Sequence, residues 1–235
     1  MKITTKLLVC CVSLTLFTSC LSNSWGHRPQ TTDVDKRLAE LMEKYDECRG
    51  KHCQGDSTPY ILVDAERWKN EIERLALEFP RHAPTLMACA GLAYEHEELQ
   101  KSQSYCDRIF AISPVHADAA VLRSQLAIRE GNLPFAKRLL ESQRDYTPDH
   151  AGLREALSAV LFMTKDYDGA TRELAAAEHL GAPAWRVQFN RGLIAEARGD
   201  AKGALAAYEA AVASNPDFGP AQSRLAGRKA EGAVQ

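Results

Sequence analysis

The chain has 235 residues, 45% hydrophobic and 26% charged, with 29 Lys and Arg against 31 Asp and Glu, for a formal net charge of −2. That composition is ordinary for a globular protein with one or two cores, and the near-neutral balance gives no basic footprint, so nucleic acid is not an expected partner. Ala, Leu, Glu and Arg dominate after residue 33 and β-branched runs are short, so an all-α fold is expected.

Residues 1–19 read as an export signal. "MKITTK" is a positive leader and "LLVCCVSLTLF" an apolar run too short to span a bilayer as a helix. Phe17-Thr18-Ser19-Cys20 resembles a bacterial lipobox. The resemblance implies cleavage before Cys20 and acyl chains on that cysteine, and two or more chains would hold the protein stably to a membrane. Leu21, rather than Asp, follows the cysteine. By the same resemblance to Gram-negative lipoproteins this implies the outer membrane, with the protein facing the periplasm. An ordinary cleaved signal with a free periplasmic product is the alternative. Loss of residues 1–19 removes Lys2 and Lys6 and no acid, taking the formal charge from −2 to −4. Residues 20–32 are polar with Gly and Pro and read as a lipidated, flexible tether.

Residues 33–80 are expected to form a helical hairpin. Val34, Leu38, Leu41, Met42 and Tyr45 make one amphipathic stripe, and Trp68, Ile72, Leu75, Ala76 and Phe79 make a second. The segment between them, "RGKHCQGDSTPYILV", reads as an expanded turn. Four cysteines remain after the signal and Cys20: Cys48, Cys53, Cys89 and Cys106. An even number in an exported chain favours disulfides. Cys48 and Cys53 would close a short loop; the competing reading, zinc held by Cys48, His52 and Cys53, lacks a fourth ligand. Cys89 and Cys106 fall on successive helices, as a second bridge or as two buried thiols.

From residue 80 the sequence repeats itself every 34 residues. Pro80, Pro114 and Pro148 mark the interval, and Pro216 lies two periods further on. One column holds small residues, Ala90, Ser124, Ser158 and Gly192; a second holds Ser102, Ala136, Ala170 and Ala204. A third, larger column is Cys106, Leu140, Leu174 and Tyr208. Glu98, Asn132, Asp166 and Asp200 form a turn column. Each block reads as helix, short polar turn, helix, with proline ending the second helix.

This pattern resembles the tetratricopeptide repeat (TPR), a helix-turn-helix unit. The resemblance covers 83–218 as four units, 83–116, 117–150, 151–184 and 185–218, the last being the nearest match through Gly192, Gly199, Asp200, Ala204, Tyr208, Ala211 and Pro216. It implies a superhelix (an α-solenoid) of four regular hairpins, with 33–80 as a divergent N-terminal hairpin. Residues 219–235 would supply a capping helix and tail, with Leu225 and Ala226 turned inward. Arg123 and Arg191 stand where the family prefers Leu. By the same resemblance the concave face forms a protein-binding groove from Met87, Gly91 and Tyr94; Val121, Gln125 and Ile128; Glu155, Ala159 and Phe162; and Phe189, Leu193 and Glu196. Single hairpins cannot bury their apolar faces alone, which is why such units stack.

His82, His116 and His150 share the 34-residue interval and invite a metal reading. Residues one unit apart lie on the order of 10 Å apart, whereas zinc–nitrogen bonds are about 2 Å, so the spacing points away from a shared ion. "HEELQ" at 96–100 lacks the second histidine of a zinc-protease helix, and no nucleophile–base set, phosphate loop or C-x-x-C is present. The sequence therefore leads to an expectation of no enzyme activity, no cofactor and no metal. It points instead to a membrane-anchored periplasmic scaffold that binds a protein partner and assists assembly of an envelope complex such as a pilus or secretion machine. The alternative is an accessory or activator subunit in peptidoglycan or exopolysaccharide synthesis or export.

Overall fold

The computed structural model describes residues 31–53 and 59–232. Among them are eleven α-helices and no strand. The signal segment, the tether and Cys20 lie outside the described residues. Helices α1 (Thr31–Cys53) and α2 (Pro59–Glu78) form the N-terminal hairpin. Four regular hairpins follow: α3 (Ala83–Glu95) with α4 (Leu99–Ile112), α5 (Ala117–Arg129) with α6 (Leu133–Tyr146), α7 (Ala151–Met163) with α8 (Tyr167–His179), and α9 (Ala184–Ala197) with α10 (Ala201–Ser214). Helix α11 (Gly219–Gly232) closes the stack.

The same short turn joins the two helices of each regular hairpin. Glu97, Gly131, Lys165 and Gly199 take positive φ of 60°, 75°, 64° and 79°. The next residue's N–H then reaches back to the first helix: Glu98 to Ala93, Asn132 to Ala127, Asp166 to Leu161 and Asp200 to Ala195, at 2.8–2.9 Å. A left-handed residue with this back-bond satisfies carbonyls that a helix end leaves orphaned. The turn column then starts the second helix. Asn132, Asp166 and Asp200 accept from the N–H of Phe135, Gly169 and Gly203 at 3.2, 2.8 and 2.9 Å. Glu98 instead accepts from Lys69 at 2.6 Å and Lys101 at 3.0 Å, tying α2 to the first regular hairpin.

The small columns set how closely the paired helices approach. Ala90, Ser124, Ser158 and Gly192 are buried, as are Ser102, Ala136, Ala170 and Ala204. Two of the serines cross between helices, Ser102 to the Ala90 carbonyl and Ser158 to the Ala170 carbonyl, each at 2.8 Å. At Gly192 the approach is tightest: a Cβ there would overlap the ring of Tyr208. Cys106, Leu140, Leu174 and Tyr208 fill the spaces between. A fully buried Leu of this kind contributes about 1.5–3 kcal/mol relative to exposure.

The first helix of each hairpin packs on both helices of the hairpin before it. Successive first helices, α3, α5, α7 and α9, contact one another, while successive second helices share no comparable contact. The stack therefore curves with its first helices on the inside, which produces one concave face.

Both ends depart in part from expectation. The N-terminal stripe is buried through Val34, Leu38, Leu41 and Tyr45, against Ile72, Leu75 and Ala76. Much of the expected turn is helical, however: α1 runs on to Cys53 and α2 starts at Pro59. Trp68, 34 residues before Ser102 and so in register with that small column, stays half-buried between Lys44 and Arg67, each 4.8 Å from its ring. In α11 the inward positions are Ala221 and, half-buried, Leu225; Ala226 is exposed, one residue round the helix from the expected face.

Candidate functional site

The groove follows from the curvature. A recess of about 270 Å³ crosses the inner helices, lined by Val121, Gln125 and Ile128 of α5, Glu155 and Ala159 of α7, and Arg186 and Asn190 of α9, among others. A second recess of about 200 Å³ lies between α7 and α9, lined by Phe162, Met163, Leu193 and Ile194. Both are bordered by Ala159 and Asn190, so the two recesses adjoin on the inner face. The floor of the first is low because the helices expose Gly152, Ala156 and Ala159 there.

Half of the residues that line the first recess are polar, and their hydrogen-bonding capacity is incompletely used. Arg186 pairs with Glu155 at 2.9 Å. The Glu155 side chain is only 15% exposed, and burial pushes its carboxyl above the usual range against the opposing pull of Arg186. The Nε of Arg186 is buried without a hydrogen-bond partner. No hydrogen bond engages the side-chain amide of Gln125 or of Asn190 among the described residues. At the apolar end Phe162 packs against Tyr167 at 5.9 Å, and Met163 is 48% exposed.

Of the sequence-derived groove residues, Val121, Gln125, Ile128, Glu155, Ala159, Phe162 and Leu193 line these recesses. Met87, Tyr94, Phe189 and Glu196 are employed elsewhere. Met87 and Tyr94 pack against buried residues of the first regular hairpin, and Tyr94 lies under Arg129, 4.8 Å from its ring. Phe189 packs at 5.1 Å edge-on against Phe218 and 5.8 Å from Tyr208. Glu196 accepts from the Tyr208 hydroxyl at 2.6 Å and pairs with Arg224 at 3.1 Å and with Arg228. Phe189 and Glu196 therefore hold α11 and the turn before it onto α9. The fourth hairpin has this helix, rather than open groove, on its outer side.

Sequence reasoning missed Arg186, Asn190 and Met163. The first two lie 34 residues after Gly152 and Ala156, on the side of α9 that faces α7. The residue type does not carry along that column, so only the period could have found them.

All three of these histidines stand at helix N-cap positions, and two of them cap with the side chain. His116 and His150 stand at the N-caps of α5 and α7, where Nδ1 accepts from Ala119 at 3.2 Å and Leu153 at 3.1 Å. His82, at the N-cap of α3, contacts Thr85 at 2.7 Å and Asp35 at 2.9 Å. In the fourth hairpin Pro183 holds the equivalent place. Among the described residues no group of three or more His, Cys, Asp or Glu could hold a metal ion.

Cys48, Cys89 and Cys106 are free thiols, the latter two buried. Burial pushes the Cys89 and Cys106 thiols up, to about 11 and about 12. The Cys53 side chain lies outside the described residues. Its backbone is in α1 with Cys48.

No protein-family model matches the chain, and neither does any curated protein. Solved structures do. A thermophilic TPR protein of Thermus thermophilus superposes with a TM-score of 0.62 at 18% identity, over 72% of this chain and 92% of that one. A TPR protein from Parabacteroides merdae does so with a TM-score of 0.60 at 17% identity, over 83% and 80%. YrrB, a TPR protein with an unusual peptide-binding site, gives 0.51 at 12% identity, over 81% and 96%. The fold is a TPR solenoid: four regular hairpins, a divergent N-terminal hairpin and a capping helix.

Proposed function

We propose that this protein is a lipid-anchored scaffold of the outer membrane, facing the periplasm. Its inner groove would hold a segment of another envelope protein during assembly of a pilus or secretion machine. The observation that carries the binding role is the pair of adjoining recesses across α5, α7 and α9, where Arg186 Nε lacks a partner and Phe162 and Met163 line an apolar end. YrrB, of like fold, is described by its peptide-binding site, which supports the same use of this surface. The anchoring rests on Phe17-Thr18-Ser19-Cys20 and the polar tether after it. Of Tyr94, Phe162, Phe189 and Glu196, the aromatics and acid that a glycan would use in the alternative role, Phe162 lines the second recess.

In cells, a photo-crosslinking amino acid at Met163 is expected to capture one envelope protein, and Phe162→Glu to abolish the capture. Radiolabelled palmitate should enter the chain and fail to enter Cys20→Ser. Capture indifferent to Phe162→Glu would sink the groove assignment; an unlabelled wild-type chain would sink the anchor.

A further inference from the structure

Large apolar side chains left in solvent are not spread evenly over this molecule. Leu77, Val115, Tyr146 and Leu180 are 75%, 38%, 69% and 36% exposed. They lie at the end of a second helix or just after it, on α2, α4, α6 and α8 in turn. Four successive hairpins thus contribute one such residue each, all within one short stretch of the 34-residue period. They make an apolar ridge along the edge where each hairpin passes to the next, and exposed Pro114 and Pro148 lie on the same edge. The opposite edge, built from the turns inside the hairpins, carries Glu97 and Glu98, Asn132, Lys165 and Asp166, and Asp200. Among the described residues, the other exposed large apolar side chains are Val63 and Met163, and Met163 borders the second recess. Single exposed apolar residues are ordinary, whereas an aligned set marks an interaction surface.

The start of α1 emerges on this same edge. Arg37 pairs with Glu78 at 2.7 Å, and Asp35 meets His82 at 2.9 Å, so the first turns of α1 stand beside the end of α2. Cys20 lies eleven positions before Thr31, where α1 begins. Eleven residues reach at most about 40 Å. An acyl group on Cys20 would therefore keep this edge close to a bilayer.

Resting on the anchor reading above, we infer that the ridge lies on the lipid surface of that membrane, with Leu77, Val115, Tyr146 and Leu180 set among the headgroups.

The chemistry of the ridge fits lipid. Tyrosine suits a membrane interface, with its ring in the apolar layer and its hydroxyl wet. Several neighbouring charges are already paired: Arg37 with Glu78, Arg144 with Asp145 at 3.0 Å, and His150 with Asp118 at 3.1 Å. A pair loses less than two separate ions when water is withdrawn. Exposed Arg81 stands against exposed Asp149 and Asp217, so the edge has no excess of cations to seek anionic lipid. The contact is therefore apolar. Four side chains would hold a free chain only weakly, but a tether makes the contact intramolecular and populates it.

The consequence is an orientation. With this edge down, the polar turns point away from the membrane and the inner and outer faces of the stack stand upright. The recesses across α5, α7 and α9 then open sideways, along the membrane plane.

The test uses the acylated full chain in vesicles of phosphatidylethanolamine and phosphatidylglycerol. Dansylalanine takes the place of Tyr146, of Leu180 or, on the opposite edge, of Lys165, one at a time, and nitroxide-labelled lipid is the quencher. Blue-shifted emission with strong quenching is expected at Tyr146 and Leu180, unchanged by added salt, with neither at Lys165. With the label in place of Val115, Tyr146→Ser combined with Leu180→Ser, checked for unchanged helicity, should lose the quenching. Vesicle-bound chain left unquenched at the ridge, or quenched alike at both edges, would overturn this inference and leave the anchor standing. A blue shift without quenching would assign the ridge to a second copy of the chain and overturn it too, as would quenching that salt abolishes. Chain that does not float with the vesicles would overturn both the anchor and the inference.

Discussion

Tyr208 on α10 donates its hydroxyl to Glu196 on α9 at 2.6 Å, and the same carboxylate takes Arg224 from α11 at 3.1 Å. One acid therefore joins three helices. Burial alone would raise its pKa, but the Tyr208 hydroxyl and the arginines of α11 hold it below the usual range. Glu196→Ala leaves a buried phenol unpaired and frees the cap, so a loss of about 1–3 kcal/mol is expected. Tyr208→Phe should cost less, about 1 kcal/mol. Urea unfolding of both single variants and the double variant checks this; additive losses would mean the pair is not coupled.

Lys165 occupies the left-handed position that Gly131 and Gly199 occupy in other hairpins. A side chain there costs roughly 1 kcal/mol or more, so Lys165→Gly should raise the melting temperature and Gly199→Ala should lower it. Calorimetry on the two variants reads both signs, and a lower melting temperature for Lys165→Gly would contradict the argument.

Glu98 should make the N-terminal junction sensitive to acid. Hydrogen bonds from Lys69 and Lys101 hold its carboxyl down to about 2, against about 4.3 in an unfolded chain. Its contribution is present above the unfolded value and is lost as pH falls from about 4.3 towards 2. The urea midpoint should therefore drop more steeply between pH 5 and pH 2.5 in the native sequence than in Glu98→Gln. Parallel curves would show that the lysine pair does not stabilise the junction.

His150 caps α7 through Nδ1 and reaches Asp118 through Nε2 at 3.1 Å. His150→Ala should lose about 1 kcal/mol, the usual worth of a cap, and His150→Asn should recover most of it. Added zinc should leave the melting temperature unchanged; a rise that vanished in His150→Ala would restore a metal role.

Much of the fold was legible because one packing problem is solved four times. Ala90, Ser124, Ser158 and Gly192 meet the same constraint, and any one of them alone would have said little. The groove was legible on α5 and α7 for the same reason. On α9 it was legible at Leu193, whereas extending the period to Phe189 and Glu196 presumes another hairpin beyond; Phe218 and α11 stand there instead and take both side chains. The left-handed positions went unseen because Glu97 and Lys165 carry no glycine signal. The helical run through Lys51 to Cys53 was hidden by a polar stretch without periodicity.

The seating of α11 is also specific to the hairpin it closes. Phe218, just before the helix, and Arg224 within it contact Trp185, Phe189 and Glu196, all on α9. One unit earlier those places hold Ala151, Glu155 and Phe162. A chain shortened by its last hairpin would set Phe218 against an acid and Arg224 against a phenyl ring. Helix α11 thus works as a key cut for a single neighbour.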